Sequence, residues 1–163
     1  MQSSRALEFY GKHAWVVLFL IWAVHLLLSA RDFFPALQDL CLGCLPGAPT
    51  PIQASTGLTW NQFASSNPKF AVYLASLLAD DGISGVGVAI FGMVVSYTSY
   101  RKGEKWAWYI QWSNPVSIAA AQLNLFLLTG SALLTVLAAV FIGICVSALL
   151  LPYRQFFPKQ PHK

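Results

Sequence analysis

The sequence predicts an all-α integral membrane protein, a four-helix bundle that forms a single domain over residues 1–163. Hydrophobic residues make up 56% of the chain and charged residues only 10%, whereas about a quarter of residues are charged in soluble globular domains. Mean hydropathy is +0.58. Because one span needs about 20 apolar residues, the chain has room for four spans and one long loop. We therefore expect the lipid bilayer to surround most of the chain.

The stretch from Gly82 to Trp112 indicates where two of these helices end and begin. An apolar, glycine-rich run leads into the basic turn 101–105, and the turn is followed by Trp106-Ala107-Trp108-Tyr109. A cationic turn beside an aromatic belt is typical of a membrane surface. Together with the other apolar runs, it predicts helices at about 13–30, 82–100, 104–123 and 129–151, with an outer loop at 31–81.

The distribution of basic residues predicts the orientation. If both termini are cytoplasmic, eight of the ten Lys and Arg residues lie inside, and only Arg31 and Lys69 lie outside. This agrees with the positive-inside rule and predicts a multi-pass protein of the cell membrane with both termini in the cytoplasm. We therefore attribute the net charge of +4 to the membrane topology and to contact with anionic headgroups, and we expect no nucleic-acid partner.

The first apolar run resembles a signal peptide only at its charged start. It is a full span that contains Trp15, Trp22 and His25, so we expect it to be retained as helix 1, with cleavage as the alternative. His25, Ser29 and Asp32 follow at helical spacing and share one face. A histidine inside a membrane is a candidate functional residue, or else it donates to a neighbouring helix.

The outer loop is expected to consist of two parts. Proline and glycine are dense over 33–55, which favours irregular chain. Asn67 followed by Pro68 is typical of a helix start. Continued through the second span, that helix would reach about 50 Å, against a hydrocarbon core of roughly 30 Å. We therefore predict a break at 80–82 that leaves the preceding helix in the membrane interface.

Small residues predict where helices pack closely in lipid. Two such faces occur at four-residue or similar steps, and we expect them to contact each other. Their members are Gly85, Ala89 and Gly92 in the second span and Ala139, Gly143 and Ser147 in the fourth. The third span carries Gln111, Asn114 and Gln122, which we expect to face protein, and Pro115, which we expect to kink it.

Cys41 and Cys44 form the first constellation that could carry chemistry. At this spacing two cysteines can close a structural disulfide, form a reactive thiol pair, or provide half of a zinc site. No second cysteine or histidine pair accompanies them in the loop, so we predict no metal. An exported location favours the disulfide.

The position of this pair in the first outer loop of a four-helix layout resembles the quinone-linked disulfide-bond oxidases of the bacterial inner membrane. The resemblance implies that Cys41 and Cys44 would pass electrons from a thiol carrier to membrane quinone. The chain departs from that family because its second outer loop is short and has no cysteine. Outside this alternative we expect no cofactor.

A second resemblance rests on the run from Gly85 through the basic turn to Trp106-Ala107-Trp108-Tyr109. It is similar to a group of small, largely uncharacterised four-helix prokaryotic membrane proteins with a basic turn before the third helix. Pro115 falls where that group often has a proline. The resemblance implies fold and topology, and no activity.

The second constellation is polar. His25, Asp80, Asp81, Asn114 and Gln122 are candidates for one pocket open to the outer leaflet, which would suit a lipophilic ligand with a polar end. Alternatively, the two aspartates only break and cap the second span.

The leading functional prediction is a non-catalytic accessory or binding protein of the membrane. The packing faces favour association with a membrane protein partner or with a second copy, unless internal packing uses them. The alternatives are a thiol-redox protein that uses Cys41 and Cys44, and an outer-leaflet pocket for a lipid or other lipophilic ligand.

Overall fold

The computed structural model describes residues 2–34, 37, 50–129 and 132–158. All regular structure in these residues is helical, which confirms the predicted all-α class for them. The helices are α1 Gln2–Arg31, α2 Pro51–Thr56, α3 Trp60–Ser66, α4 Pro68–Val95, α5 Lys105–Gln111, α6 Ser113–Thr129, α7 Ala132–Leu150 and α8 Tyr153–Phe156.

Three helical segments of the described chain are long and apolar enough to cross a membrane. They are Gly11–Arg31, Pro68–Tyr100 and Thr135–Phe156, and they correspond to the first, second and fourth predicted spans. α1 makes its most extensive contacts with α4 and also packs against α7, while α6 packs against α7. α1 therefore lies between α4 and α7.

The second span starts earlier than the sequence predicts. α4 runs without interruption over Pro68–Val95, and a π turn extends it to Tyr100. The predicted break at 80–82 is wrong, and the segment expected to be a separate interfacial helix is continuous with the span. The loop predicted over 31–81 is shortened accordingly.

Gly82 lies inside α4, and its lack of a side chain lets α4 approach α1 closely. A Cβ atom at Gly82 would lie 2.9 Å from the carbonyl oxygen of Ser29. The side chains of Asp80 and Asp81 are exposed, so the helix can continue without burying their charges. A glycine inside a helix costs only about 1 kcal/mol relative to alanine, which this tertiary contact offsets.

α4 ends in a π turn over Ser96–Tyr100. The amide of Arg101 donates to the carbonyl of Ser96, five residues back, at 3.2 Å. Tyr100 at the end of this turn is buried, and its hydroxyl donates to the carbonyl oxygen of Ala148 at 2.7 Å. The π turn therefore ties the end of α4 to α7.

The third predicted span, about 104–123, is two helices instead of one. α5 ends at Gln111, Trp112 forms a turn, and α6 continues over Ser113–Thr129. Pro115 lacks the N–H group that would bond to the carbonyl of Gln111 four residues back. The helical hydrogen bonding is therefore interrupted close to the predicted kink.

The buried apolar side chains form two groups. The larger one draws on α1, α4, the π turn, α5, α7 and α8, and its members are Ala14, Leu18, Val95, Tyr100, Ala107, Ala148, Leu149 and Phe156. The smaller one contains Trp60, Phe63 and Ala71, which belong to α3 and the start of α4. The first group joins segments that are distant in the sequence, and the second joins segments that are neighbours in it.

The small-residue face of α4 packs against α1. A side chain at Gly85 would meet Ser29, and one at Gly92 would overlap the indole ring of Trp22. Ala89, between them, is fully buried. This face therefore serves close helix packing, with α1 as its partner.

The corresponding face of α7 is exposed. Ala139, Gly143 and Ser147 are all open to the surroundings, and a Cβ atom at Gly143 would meet nothing within 4 Å among the described residues. The predicted contact between this face and α4 is wrong, because α1 occupies the face of α4. Association with a second membrane protein or a second copy stays a prediction.

Candidate functional site

A groove of about 1020 Å³ opens at the end of the bundle where the apolar segment Gly11–Arg31 begins and α7 ends. Three separate segments line this basic groove. They are Gly11, Lys12, His13 and Trp15 of α1, Arg101 after the π turn, and residues 150–155 from the end of α7 into α8. We call this end of the molecule the basic end.

Among the described residues that line the basic groove, every charged side chain is basic. Lys12, Arg101 and Arg154 are exposed cations, and His13 is next to Lys12 in the sequence. Ammonium and guanidinium groups are donors without acceptors, and they suit carboxylate or phosphate groups. The arrangement can bind an anion.

Arg101 is held by two aromatic rings. Its guanidinium carbon lies 5.2 Å from the ring centroid of Trp15 and 5.6 Å from that of Tyr97. The two rings meet edge to face at 5.7 Å. A guanidinium that stacks on a ring keeps its N–H donors at the edge available for a ligand.

The turn after Arg101 is fixed against α8. Gly103 has a φ of +79°, a conformation that glycine adopts without strain. The side-chain amide of Gln155 donates to the carbonyl oxygen of Arg101 at 3.5 Å. Both walls of the basic groove are thereby connected.

An aromatic cluster supports the α8 wall. The indole N–H of Trp108 donates to the carbonyl oxygen of Leu149 at 2.9 Å. Its ring contacts Tyr153 at 5.7 Å and Phe157 at 5.3 Å between centroids, and the ammonium of Lys105 lies 5.6 Å from the ring of Phe157. These contacts position residues 150–155, since they fix the chain on both sides of that segment.

The predicted outer pocket is only partly assembled. The imidazole of His25 lies next to Gly85 and edge-on to Trp22, and the exposed carboxylate of Asp81 is close enough to act on it electrostatically. Asp80 is exposed on the same turn of α4. These residues are near the end of the bundle opposite the basic groove.

The two predicted pocket residues of α6 lie elsewhere. Gln122 lines a small cavity between α6 and α7 with Phe126 and Ala138, and Asn114 is buried near the start of α6. The side-chain nitrogens of Asn114 and Gln122 have no hydrogen-bond partner among the described residues. The structure therefore does not bring all five predicted residues around one cavity.

Gln111, expected to face protein, is the centre of a buried polar network. Its Oε1 accepts from the indole N–H of Trp22 at 2.8 Å. Its Nε2 donates to the carbonyl of Gly92 at 3.1 Å and to the hydroxyl of Ser96 at 2.8 Å. All polar atoms of this side chain are satisfied, so the network links α1, α4 and α5 structurally.

Cys41 and Cys44 lie outside the described residues, so the disulfide, the thiol-redox activity and the quinone remain predictions. Cys145 of α7 is a free, buried thiol. Within the part of the chain that the structure describes, no three His, Cys, Asp or Glu side chains come together as a metal site would require.

In the sequence, Lys12, Arg101 and Arg154 indicate only orientation. The positive-inside pattern predicts that they share one membrane surface. Their convergence on a single groove depends on how α1 packs against α7, and no local pattern contains that information.

No family model, curated protein or solved structure matches the chain. The resemblances to small four-helix membrane proteins and to quinone-linked oxidases therefore stay predictions.

Proposed function

We propose that the protein is a non-catalytic binding protein of the cell membrane and that the basic groove is its binding site. One observation carries the proposal. Lys12, His13, Arg101 and Arg154, from three distant parts of the chain, line one groove, and the charged side chains among its described lining residues are all basic. A cluster of basic side chains in a groove attracts anions.

The proposed topology has four crossings with both termini in the cytoplasm. α5 and α6 together cover residues 105–129, a helical rise of about 37 Å at 1.5 Å per residue, which is enough for the fourth crossing. Lys12, Arg101 and Arg154 share one end of the bundle. That location supports a cytoplasmic basic end, because basic residues concentrate on that side.

The proposed ligand carries a phosphate group. Two arginines and one lysine match the geometry and charge of phosphate oxygens, and a guanidinium can bind two of those oxygens at once. The cytoplasmic membrane surface is also where anionic phosphate headgroups are abundant. Trp15 and Tyr153 add an apolar wall at the level of the headgroup.

The test is the binding of sn-glycerol 3-phosphate to the full-length protein in a neutral detergent, followed by ³¹P NMR titration. Arg101→Gln removes one charge-assisted contact, worth about 1.5 kcal/mol, and should weaken binding about tenfold. Arg154→Gln should act in the same direction. The second variant guards against a structural effect at Arg101, whose guanidinium also contacts two rings.

Lys102→Gln is the matched control. Lys102 is exposed and adjacent to Arg101, yet it does not line the basic groove. Its replacement removes the same net charge and should change the affinity less than twofold. If Lys102→Gln weakens binding as much as Arg101→Gln and Arg154→Gln do, the probe reports general surface charge and the proposal is wrong.

A further inference from the structure

A second cavity lies against the basic groove, between α1 and α7. This α1–α7 trough has a volume of about 380 Å³. It is lined almost entirely by apolar or small residues, namely Ala14, Val17, Val140, Gly143, Ile144, Ser147, Ala148 and Leu151.

The trough and the basic groove are adjacent. Leu151 lines both of them, and the consecutive residues His13 and Ala14 line one each. From Leu151 back to Val140 the trough follows α7 for about 16 Å at 1.5 Å per residue. This distance is about half of a hydrocarbon core of roughly 30 Å, which is the depth of one leaflet.

The floor of the trough is open where α7 has a glycine. A Cβ atom at Gly143 would have no neighbour within 4 Å among the described residues, so nothing in that part of the chain fills this space. Ser147, one turn closer to the basic groove, is also exposed. A flexible acyl chain can occupy an open apolar depression of this kind.

We infer that the two cavities together bind one anionic diacyl phospholipid. Its phosphate headgroup lies in the basic groove, and one acyl chain lies along the α1–α7 trough. The inference rests on the proposed function and deepens it, because it assigns the phosphate to a membrane lipid and excludes a soluble metabolite as the natural occupant. Charge complementarity at the groove and the apolar trough that leads from it into the leaflet both favour this occupant.

The experiment measures lipid that stays bound to the full-length protein by native mass spectrometry, after reconstitution with phosphatidylglycerol and phosphatidylcholine in equal amounts. The wild type should retain phosphatidylglycerol in clear excess over phosphatidylcholine. Gly143→Leu places a side chain in the trough at a position where its Cβ atom meets no described neighbour. It should lower the retained phosphatidylglycerol about threefold, since it removes many small dispersion contacts with the acyl chain. Ser147→Leu should have a similar effect.

Gly87→Leu is the control for an added side chain. Gly87 lies on an exposed position of α4, where a Cβ atom would also meet nothing within 4 Å, and it lines neither cavity. Its lipid retention should equal that of the wild type. Equal retention by Gly143→Leu, Ser147→Leu and Gly87→Leu would overturn the acyl-chain site.

The binding of sn-glycerol 3-phosphate separates this inference from the proposed function. The trough variants should bind this soluble probe as the wild type does, because they leave the cations in place. If Arg101→Gln weakens binding of the probe but Gly143→Leu retains as much lipid as the wild type, the groove is an anion site and the acyl-chain inference fails. If neither Arg101→Gln nor Arg154→Gln weakens binding of the probe, the proposed function itself fails. Equal retention of the two lipids by the wild type would overturn the selection for an anionic headgroup.

Discussion

The basic end and the opposite end of the bundle are held together by different kinds of contact. At the basic end, hydrogen bonds join residues far apart in sequence, such as Tyr100 with Ala148 and Trp108 with Leu149. These donors are aromatic side chains, and the acceptors are backbone carbonyls near the end of α7. Geometry at this end therefore depends on the complete tertiary structure.

The opposite end combines the packing of α4 on α1 and of α2 on α6 with local interactions in the segment before α4. Thr50 and Thr59 begin α2 and α3, and each forms a capping box with a glutamine three residues later. The small apolar cluster of Trp60, Phe63 and Ala71 joins segments that follow one another in the chain. The proposed site is therefore supported by long-range contacts, whereas the helices before α4 are started by interactions between residues close in the sequence.

The largest expected effect tests the close packing that joins the two ends. Gly92→Leu would place side-chain atoms where the Trp22 indole lies, and the ring would have to leave its position. Overpacking of this kind costs about 3 kcal/mol. SDS titration of the protein in mixed micelles should show an unfolding midpoint at a lower SDS fraction.

Gly87→Leu is again the control, because the side chain it adds meets open space. It should leave the SDS midpoint near that of the wild type. If both glycine variants unfold at the same SDS fraction, the contact between Gly92 and Trp22 does not hold α4 against α1. The packing of these two helices would then not connect the two ends of the bundle.

The second prediction concerns the polar network next to the basic end. Gln111→Leu deprives the buried indole N–H of Trp22 of its acceptor and the hydroxyl of Ser96 of a donor. An unsatisfied buried donor costs about 2 kcal/mol. The same SDS titration should therefore show a smaller destabilisation than Gly92→Leu causes.

Gln122→Leu provides the matched comparison. It is the same substitution on α6, at a buried amide nitrogen that has no partner among the described residues. Removing an unsatisfied polar group should leave stability unchanged within about 0.5 kcal/mol, or raise it. If both variants lose the same free energy of unfolding, the loss comes from removing any buried amide, and the hydrogen bonds around Gln111 add no stability of their own.

Local signals in the sequence predicted the elements that depend on local structure. The end of the second span at Tyr100 and the start of the next helix at Lys105 follow from the basic, glycine-containing turn. The burial of Gln111 and Asn114 was also expected, because amides are costly in lipid. These features need only neighbouring residues and the membrane as solvent.

The predicted pairing of the second span with the fourth was wrong, because local patterns do not show which helices meet. Small residues at Gly85 and Gly92 indicate close approach, yet they do not identify α1 as the partner. The helical continuation through Gly82 depends on its contact with Ser29, which is more than 50 positions away in the chain. The basic groove was missed for the same reason, since Lys12 and Arg154 meet only after α1 has packed against α7.

The smallest expected effect tests whether α3, in the segment before α4, is stabilised locally. Thr59→Ala removes the hydroxyl that accepts from the amide of Gln62 at 3.3 Å, while the Gln62 side chain can still accept from the amide at position 59. Loss of such a cap costs about 1 kcal/mol, so amide hydrogen exchange in α3 should accelerate about fivefold.

Ser65→Ala, which removes only a hydroxyl bonded back to the carbonyl of Asn61, should leave that exchange unchanged. The amide of Trp108 should exchange at the same rate in all three proteins, because α3 makes its main contacts with α2 and with the start of α4, away from the basic end. Faster exchange at Trp108 in Thr59→Ala would show that the two ends unfold together, and the distinction between local and long-range support would not hold.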